Sequence, residues 1–403
     1  MSEMRDGTHV NRPVARSPSR APVVVLVGLA GALALATFVR RRRAHGVPRP
    51  EPVELHPAAA EPPARRTGLA RLFSMVKSVV GLGTALWGVG GRRTQAPGRS
   101  AMRFGVQRML SIATLATPLI SLVTGAGQAR RGDRAVAGAQ RRLALAAALL
   151  AASVLTDSAM EHYRGGFYDP AMYVPPVTAA LSLIANLQAS SGDARLRPAR
   201  DVVHGAAIAV GVVGLGFHAY NITKRPGGVS WLNLFYAAPF GAPAAMSLAG
   251  LIGIAAERLD PGKAAGDQRL FGLPFGRSMA ALIGVGIAGT VAEAGLLHFR
   301  GAFHNPAMWL PVSVPPVASL LMLGSAIGQP GPAWLTRAWL WATAVLGVGG
   351  VGFHAYGISR RMGGWSNWSQ NIFAGPPLPA PPSFSALALA GLAVLDLRES
   401  GPA

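Results

Sequence analysis

Gly211-Val-Val-Gly-Leu-Gly-Phe-His-Ala-Tyr220 returns as Gly347-Val-Gly-Gly-Val-Gly-Phe-His-Ala-Tyr356. Glu161-His-Tyr-Arg-Gly-Gly-Phe-Tyr-Asp-Pro-Ala-Met172 returns as Leu297-His-Phe-Arg-Gly-Ala-Phe-His-Asn-Pro-Ala-Met308. Both returns lie 136 residues downstream, so the stretch between the motifs carries no net insertion. The chain is an internal duplication. Its two copies act as a filter: apolar filler drifts between them, while a few polar residues stay.

The setting for those residues is a bilayer. Half of the 403 residues are hydrophobic and only 14% are charged, against about a quarter charged in soluble domains. Apolar runs approach the ~20 residues a spanning helix needs. The expected class is an all-α polytopic membrane protein with two tandem four-helix transmembrane repeats. The spans fall near 143–162, 171–189, 201–221 and 232–256, then 278–298, 307–327, 335–357 and 380–397. Repeat 1 occupies 143–260, a linker 261–277 and repeat 2 278–403.

Ahead of the repeats lies a basic region. Residues 1–142 hold 23 Lys/Arg against 6 Asp/Glu, and residues 143–403 hold 15 against 11. Such an excess suits arginines flanking membrane segments on the cytoplasmic side better than nucleic acid, and no nucleic-acid partner is expected. Residues 1–22 read as a disordered basic terminus and 23–39 as a further transmembrane helix, stopped by Arg40 to Arg43. Residues 40–66 read as a basic, Pro-rich linker. Residues 67–142 read as a basic region with two apolar helices that either span or lie at the interface.

Arginine placement sets the expected topology. Arg141 and Arg142 precede the first span, Arg195, Arg197 and Arg200 join the second to the third, and Arg258, Lys263, Arg269 and Arg277 join the copies. These loops are expected to be cytoplasmic, in a multi-pass cell membrane protein of a bacterial inner-membrane type. An even number of spans gives both copies one orientation, related by a pseudo-twofold axis along the membrane normal. Every repeated polar motif then lies at the extracytoplasmic face.

The polar residues kept in register are Asp157, His162, Arg164, His218, Tyr220 and Arg225, matched by Glu293, His298, Arg300, His354, Tyr356 and Arg361. Ionisable residues near lipid are costly and point to function, although helix ends at the interface tolerate them. Three chemistries fit. The first is haem b: His162 with His218, and His298 with His354, supply paired imidazoles on two helices. Arg164, Arg225, Arg300 and Arg361 stand by for propionates, Tyr220 and Tyr356 lie alongside, and glycines at 211, 214 and 216 would admit a planar ring. The second is a nonhaem metal held by the His pairs with Asp157 or Glu293. Asp157 and His162 are five apart, about 140° around a continuous helix, so this needs an unwound turn, which Gly295 would permit in the second copy. The third is a transport site for a small solute, anionic or neutral, marked by Pro239, Pro243 and the matching prolines near 376–382.

The absence of cysteine excludes iron–sulfur clusters and covalent haem c. No nucleophile elbow, dinucleotide fingerprint or His-Glu-x-x-His occurs. The leading expectation is a redox membrane subunit that exchanges electrons with an extracytoplasmic partner or a quinone. The alternatives are a transporter or channel, and a structural anchor without chemistry. The Lys224–Gly228 and Arg360–Gly364 segments are expected to be tight turns, with Gly-Gly supplying positive φ.

Overall fold

A computed structural model describes residues 133–192 and 194–400. The expected terminus, anchor helix, linker and most of the basic region lie outside them. The described chain is mostly helical. Its first half contains α1 (Asp133–Arg164), α2 (Val174–Ser190), α3 (Arg197–Thr223), the short α4 (Trp231–Phe235) and α5 (Gly241–Arg258). Its second half contains α6 (Phe275–Arg300), α7 (Leu310–Ser313), α8 (Pro315–Ala326), α9 (Ala333–Ser359), the short α10 (Trp368–Ala374) and α11 (Pro382–Glu399).

Six helical segments are long and apolar enough to cross a membrane: Ala135–Arg164, Pro170–Ser190, Arg197–Thr223, Phe275–Arg300, Pro306–Ala326 and Ala333–Ser359. The described chain is thus multi-pass and suited to a lipid bilayer. The fourth helix of each half, α5 or α11, forms but is not among the six. Each has 18 residues and ends in charge, at Glu257 and Arg258 or at Asp396, Arg398 and Glu399. Both are interior helices. Residues Ser383 to Leu395 of α11 are all buried, and so are nine residues of α5. Helix α1 packs against α2, α5 and α11, while α5 carries α3 and α11 carries α9. The interior helices therefore meet protein where the outer ones present apolar side chains outward. Val212, Val285, Leu320 and Val345, for example, are all exposed.

Helix starts follow from local chemistry. Asp169 and Asn305 each accept a hydrogen bond from the backbone N–H two residues on, at 2.8 and 2.9 Å. Pro170 and Pro306 follow at the first position, where a missing N–H costs nothing. Asp and Asn are interchangeable in this role, so a residue that differs between the halves keeps one function. Helix α1 begins at Asp133, ten residues before the apolar run, so Arg141 and Arg142 lie within a helix rather than a loop. Arg142 pairs there with Asp396 of α11. The linker is ordered too. Arg269–Leu270 (β1) and Leu273–Pro274 (β2) form a two-residue hairpin, turned at Phe271 and Gly272 with φ 52° and 84°. The buried Gln268 ties the hairpin to Asp260 and Lys263.

The two Gly-Gly turns form as expected, with φ 85° and 58° at Gly227 and Gly228 and 76° and 48° at Gly363 and Gly364. Asn233 Nδ2 donates to Pro226 O and Gly228 O at 2.9 and 2.7 Å. Asn371 Nδ2 does the same for Met362 O and Gly364 O at 3.0 and 2.8 Å. Asn371 lies 138 residues after Asn233, so the second half gains two residues after its glycine pair. Asn233→Ala should cost about 1–3 kcal/mol, since two carbonyls lose their donor. Hydrogen exchange in lipid nanodiscs should show the loss as faster exchange confined to residues 224–236.

The halves interlock. Tyr163 of α1 packs against Phe373 of α10 at 4.9 Å, and the matching Phe299 of α6 packs against Phe235 of α4 at 5.7 Å. Ser153 of α1 donates to Pro379 O of the other half and contacts Ser383 Oγ at 3.1 Å.

Candidate functional site

The four repeated histidines end up in one chemical state. His162 Nδ1 lies 2.5 Å from Met172 O, and His298 Nδ1 lies 2.8 Å from Met308 O. His218 Nδ1 lies 2.6 Å from Pro239 O, and His354 Nδ1 lies 2.7 Å from Pro377 O. A ring nitrogen facing a carbonyl oxygen must carry the proton, because a carbonyl only accepts. Each ring is therefore held with Nδ1–H donating. Among the described residues, no hydrogen bond reaches the Nε2 of any of the four. This is the arrangement that prepares an imidazole as a ligand, with the far nitrogen fixed and the near one open.

The sequence builds that arrangement locally. Helices α1 and α6 end in a reversal in which Phe167 N–H and Phe303 N–H donate back to His162 O and His298 O, at 3.0 and 3.1 Å. Both phenylalanines take φ 46°, a left-handed conformation unfavourable for a bulky residue. Stacking holds them there: Phe167 lies on Tyr173 at 4.3 Å and Phe303 on Trp309 at 4.1 Å. Each phenylalanine then meets its histidine edge-on at 6.2 Å. The strained backbone thus serves to wall an imidazole, in both halves. Identity of Phe167 and Phe303 between the copies was the available signal; their backbone conformation was not readable.

The structure brings His298 and His354 together, with ring centres 6.5 Å apart and planes at 73°. His162 and His218 are also near enough to interact electrostatically. All four rings are half-buried. The arginines separate into different settings. Arg164 is exposed and pairs with Glu161 at 2.7 Å. Arg300 lies over the Phe235 ring at 5.3 Å and donates to Ala237 O at 3.4 Å, while its buried Nε has no partner. Arg225 and Arg361 are exposed on the Gly-Gly turns. Tyr220 and Tyr356 point outward under cations, with Lys224 Nζ at 4.5 Å and Arg360 at 5.9 Å. Both tyrosines are exposed rather than grouped with the histidines.

The carboxylates do not complete a triad. Helices α1 and α6 run unbroken through Asp157–His162 and Glu293–His298, so Gly295 unwinds nothing. Acid and imidazole therefore stay about 140° apart on each helix. Glu293 instead lies against the backbone of Gly241, at the start of α5, and within electrostatic reach of Asp157 and Arg300. Among the described residues, no three of His, Asp and Glu converge as metal ligands would.

The glycines and prolines have a packing role. A Cβ at Gly211 would strike Ser247 and Pro243 O, and one at Gly347 would strike Ser385 and Pro381 O. Gly214 and Gly350 receive the Pro243 and Pro381 rings. Gly216 alone of the first set faces open space. These residues let α3 approach α5, and α9 approach α11, at backbone contact. Two of the three glycines thus do not admit a planar ring, and Pro243 fills a helix crossing rather than breaking a span.

Sequence reading missed a polar group at the other end of the first half. Arg200 and Glu257 form a buried ion pair, Nε to Oε1 2.5 Å and Nη2 to Oε2 3.2 Å. Beside them lie the buried His204, Asn186 and Ser182. Their counterparts Thr336, Leu395, Leu340, Met322 and Ala318 are far less polar. Retention in both copies, used as a filter, discards such residues.

Comparison with known protein families, with characterised proteins and with solved structures finds no match for this chain.

Proposed function

We propose that the chain is a tandem duplication of a four-helix membrane unit that holds two b-type haems, as a redox subunit of a cell membrane. The carrying observation is the common state of the four histidines: each donates Nδ1–H to a backbone carbonyl and leaves Nε2 open. His162 with His218, and His298 with His354, would be the pairs that hold the two groups. Two imidazoles that bind one metal ion at bonds of about 2 Å each come within roughly 6 Å of each other, ring centre to ring centre. The 6.5 Å between His298 and His354 fits that spacing. Bis-imidazole ligation needs only two protein ligands per iron, which suits a site without a third. A haem held there would take up and release one electron at a time.

The protein's own part is orientation and exclusion. Carbonyls at Met172, Pro239, Met308 and Pro377 fix the rings, and Phe167 and Phe303 wall them. Arg300, with a free Nε, is the arginine best placed to meet a propionate. The arginine-rich loops at the opposite end support a reading with the histidine end on the extracytoplasmic face, where a redox partner or a quinone would dock.

A reduced-minus-oxidised spectrum of protein purified from haem-replete cells should show b-type bands. His218→Ala should remove about half of the pigment, as should His354→Ala, and the pair together nearly all of it. A colourless preparation overturns the reading.

A second reading rests on Arg300, whose half-buried guanidinium keeps an unpartnered Nε. It is a site for a small anion in transport. Uptake by proteoliposomes that fails in Arg300→Gln, without any pigment, would favour it.

A further inference from the structure

The two Gly-Gly turns carry charges that the histidine site does not use. Lys224 and Arg225 stand just before the first glycine pair, and Arg360 and Arg361 just before the second. All four are exposed. Among the described residues, none of the four forms an ion pair. Their neighbours in sequence supply no counter-charge, since residues 218–240 and 354–382 contain neither Asp nor Glu. Lys224 and Arg360 lie instead over the rings of Tyr220 and Tyr356, on the last turns of α3 and α9.

Each basic pair is tied to an apolar surface. Asn233 and Asn371 bond two carbonyls of their turns, which fixes the turn to the short helix that holds the asparagine. Ser230 Oγ adds a bond from Asn233 N–H at 3.2 Å. Beside the first turn Trp231, Leu232 and Tyr236 are exposed, and beside the second Met362, Trp365 and Trp368. Cations next to exposed aromatics, at the end of a membrane span, suit the headgroup layer of a bilayer. Arg occupies the second basic position in both halves, and its planar fork can take two phosphate oxygens at once.

Topology does not account for these cations. With the arginine-rich loops cytoplasmic, they lie on the side that the positive-inside bias depletes. Both halves nevertheless keep them, although the segment after the glycine pair differs by two residues. An acidic protein would match the charge alone. An anionic lipid matches the charge and the apolar residues together.

We propose that each Gly-Gly turn, with its dibasic pair and the aromatic residues beside it, binds one anionic phospholipid at the histidine end of the molecule. The two cations hold the phosphate of a headgroup that lacks a compensating amine. The exposed aromatics lie along its glycerol and upper acyl chains. The sites are two per chain and independent of any haem.

Native mass spectrometry of the full chain, stripped of lipid in mild detergent and titrated with phosphatidylglycerol or phosphatidylcholine, tests this. Each cation near the headgroup is worth about fivefold in affinity for an anionic lipid, so two phosphatidylglycerol molecules should bind roughly 25-fold more tightly than phosphatidylcholine. Lys224→Gln with Arg225→Gln should remove one of the two, and Arg360→Gln with Arg361→Gln the other. All four side chains are exposed, so circular dichroism should match the parent. Lys263→Gln, in the linker at the opposite end, should change nothing. Equal binding of the two lipids, or phosphatidylglycerol binding unaltered in both double variants, overturns the proposal. So does displacement of the lipid by millimolar inorganic phosphate, which would mark a site for a free anion.

Discussion

Glu257→Ala should lower the stability of the folded protein by about 3–5 kcal/mol, because it strands a buried guanidinium. Arg200 is 4% exposed and Glu257 2% exposed, and the two share both arms of the carboxylate. Arg197 adds a bond to the Glu257 backbone carbonyl. Removing the acid leaves Arg200 with no route to water and no counter-charge. Removing both partners is a different experiment. The second half holds Thr336 and Leu395 at these positions, so Arg200→Thr with Glu257→Leu should recover most of the loss. Reversible unfolding in mixed micelles measures both. The nearby Arg258–Asp201 pair, at 3.0 and 3.1 Å, is partly exposed, and Asp201→Asn should cost less than about 1 kcal/mol. If the three variants lost equal stability, burial would not be the governing factor.

Gly211→Val should be the most damaging single change at a helix crossing. A Cβ there would meet Pro243 O at 2.5 Å and Ser247 N at 2.7 Å, both backbone atoms with no freedom to yield. Gly250 makes the reciprocal approach, toward His204 O at 2.6 Å. Helices α3 and α5 must separate, and the bond from Ser247 Oγ to Ile208 O, 3.2 Å, breaks with them. Overpacking of this kind costs about 1–3 kcal/mol, and the lost hydrogen bond adds about 1 kcal/mol. Gly347→Val should behave alike, since Ser385 Oγ bonds Ala344 O at 2.7 Å across the matching crossing. Gly216→Val, which meets nothing within 4 Å, is the control and should be near neutral. The midpoint of thermal unfolding should rank the three accordingly.

Much of this was legible in the sequence for one physical reason: a duplication exposes what both copies need. It picked out the four histidines, and the structure gives all four the same Nδ1–carbonyl bond. Hydropathy placed the six membrane-length helices to within a few residues, except that α1 starts earlier, where charged residues pair with protein. Hydropathy could not tell the interior helices α5 and α11 from lipid-facing spans, because apolar sequence says what a face avoids and not what it meets. The acid–histidine spacing in α1 and α6 already argued against a shared metal, and the unbroken helices bear that spacing out. The left-handed backbone at Phe167 and Phe303 was hidden, because sequence shows identity and not φ. The His204 group was hidden by the filter itself, since only one copy carries it.

The haem content of the purified full-length chain, extracted and counted per polypeptide, tests the central claim most directly. Two b-type haems per chain are expected, one for each histidine pair. A chain that purifies folded from haem-replete membranes with no haem would contradict the account.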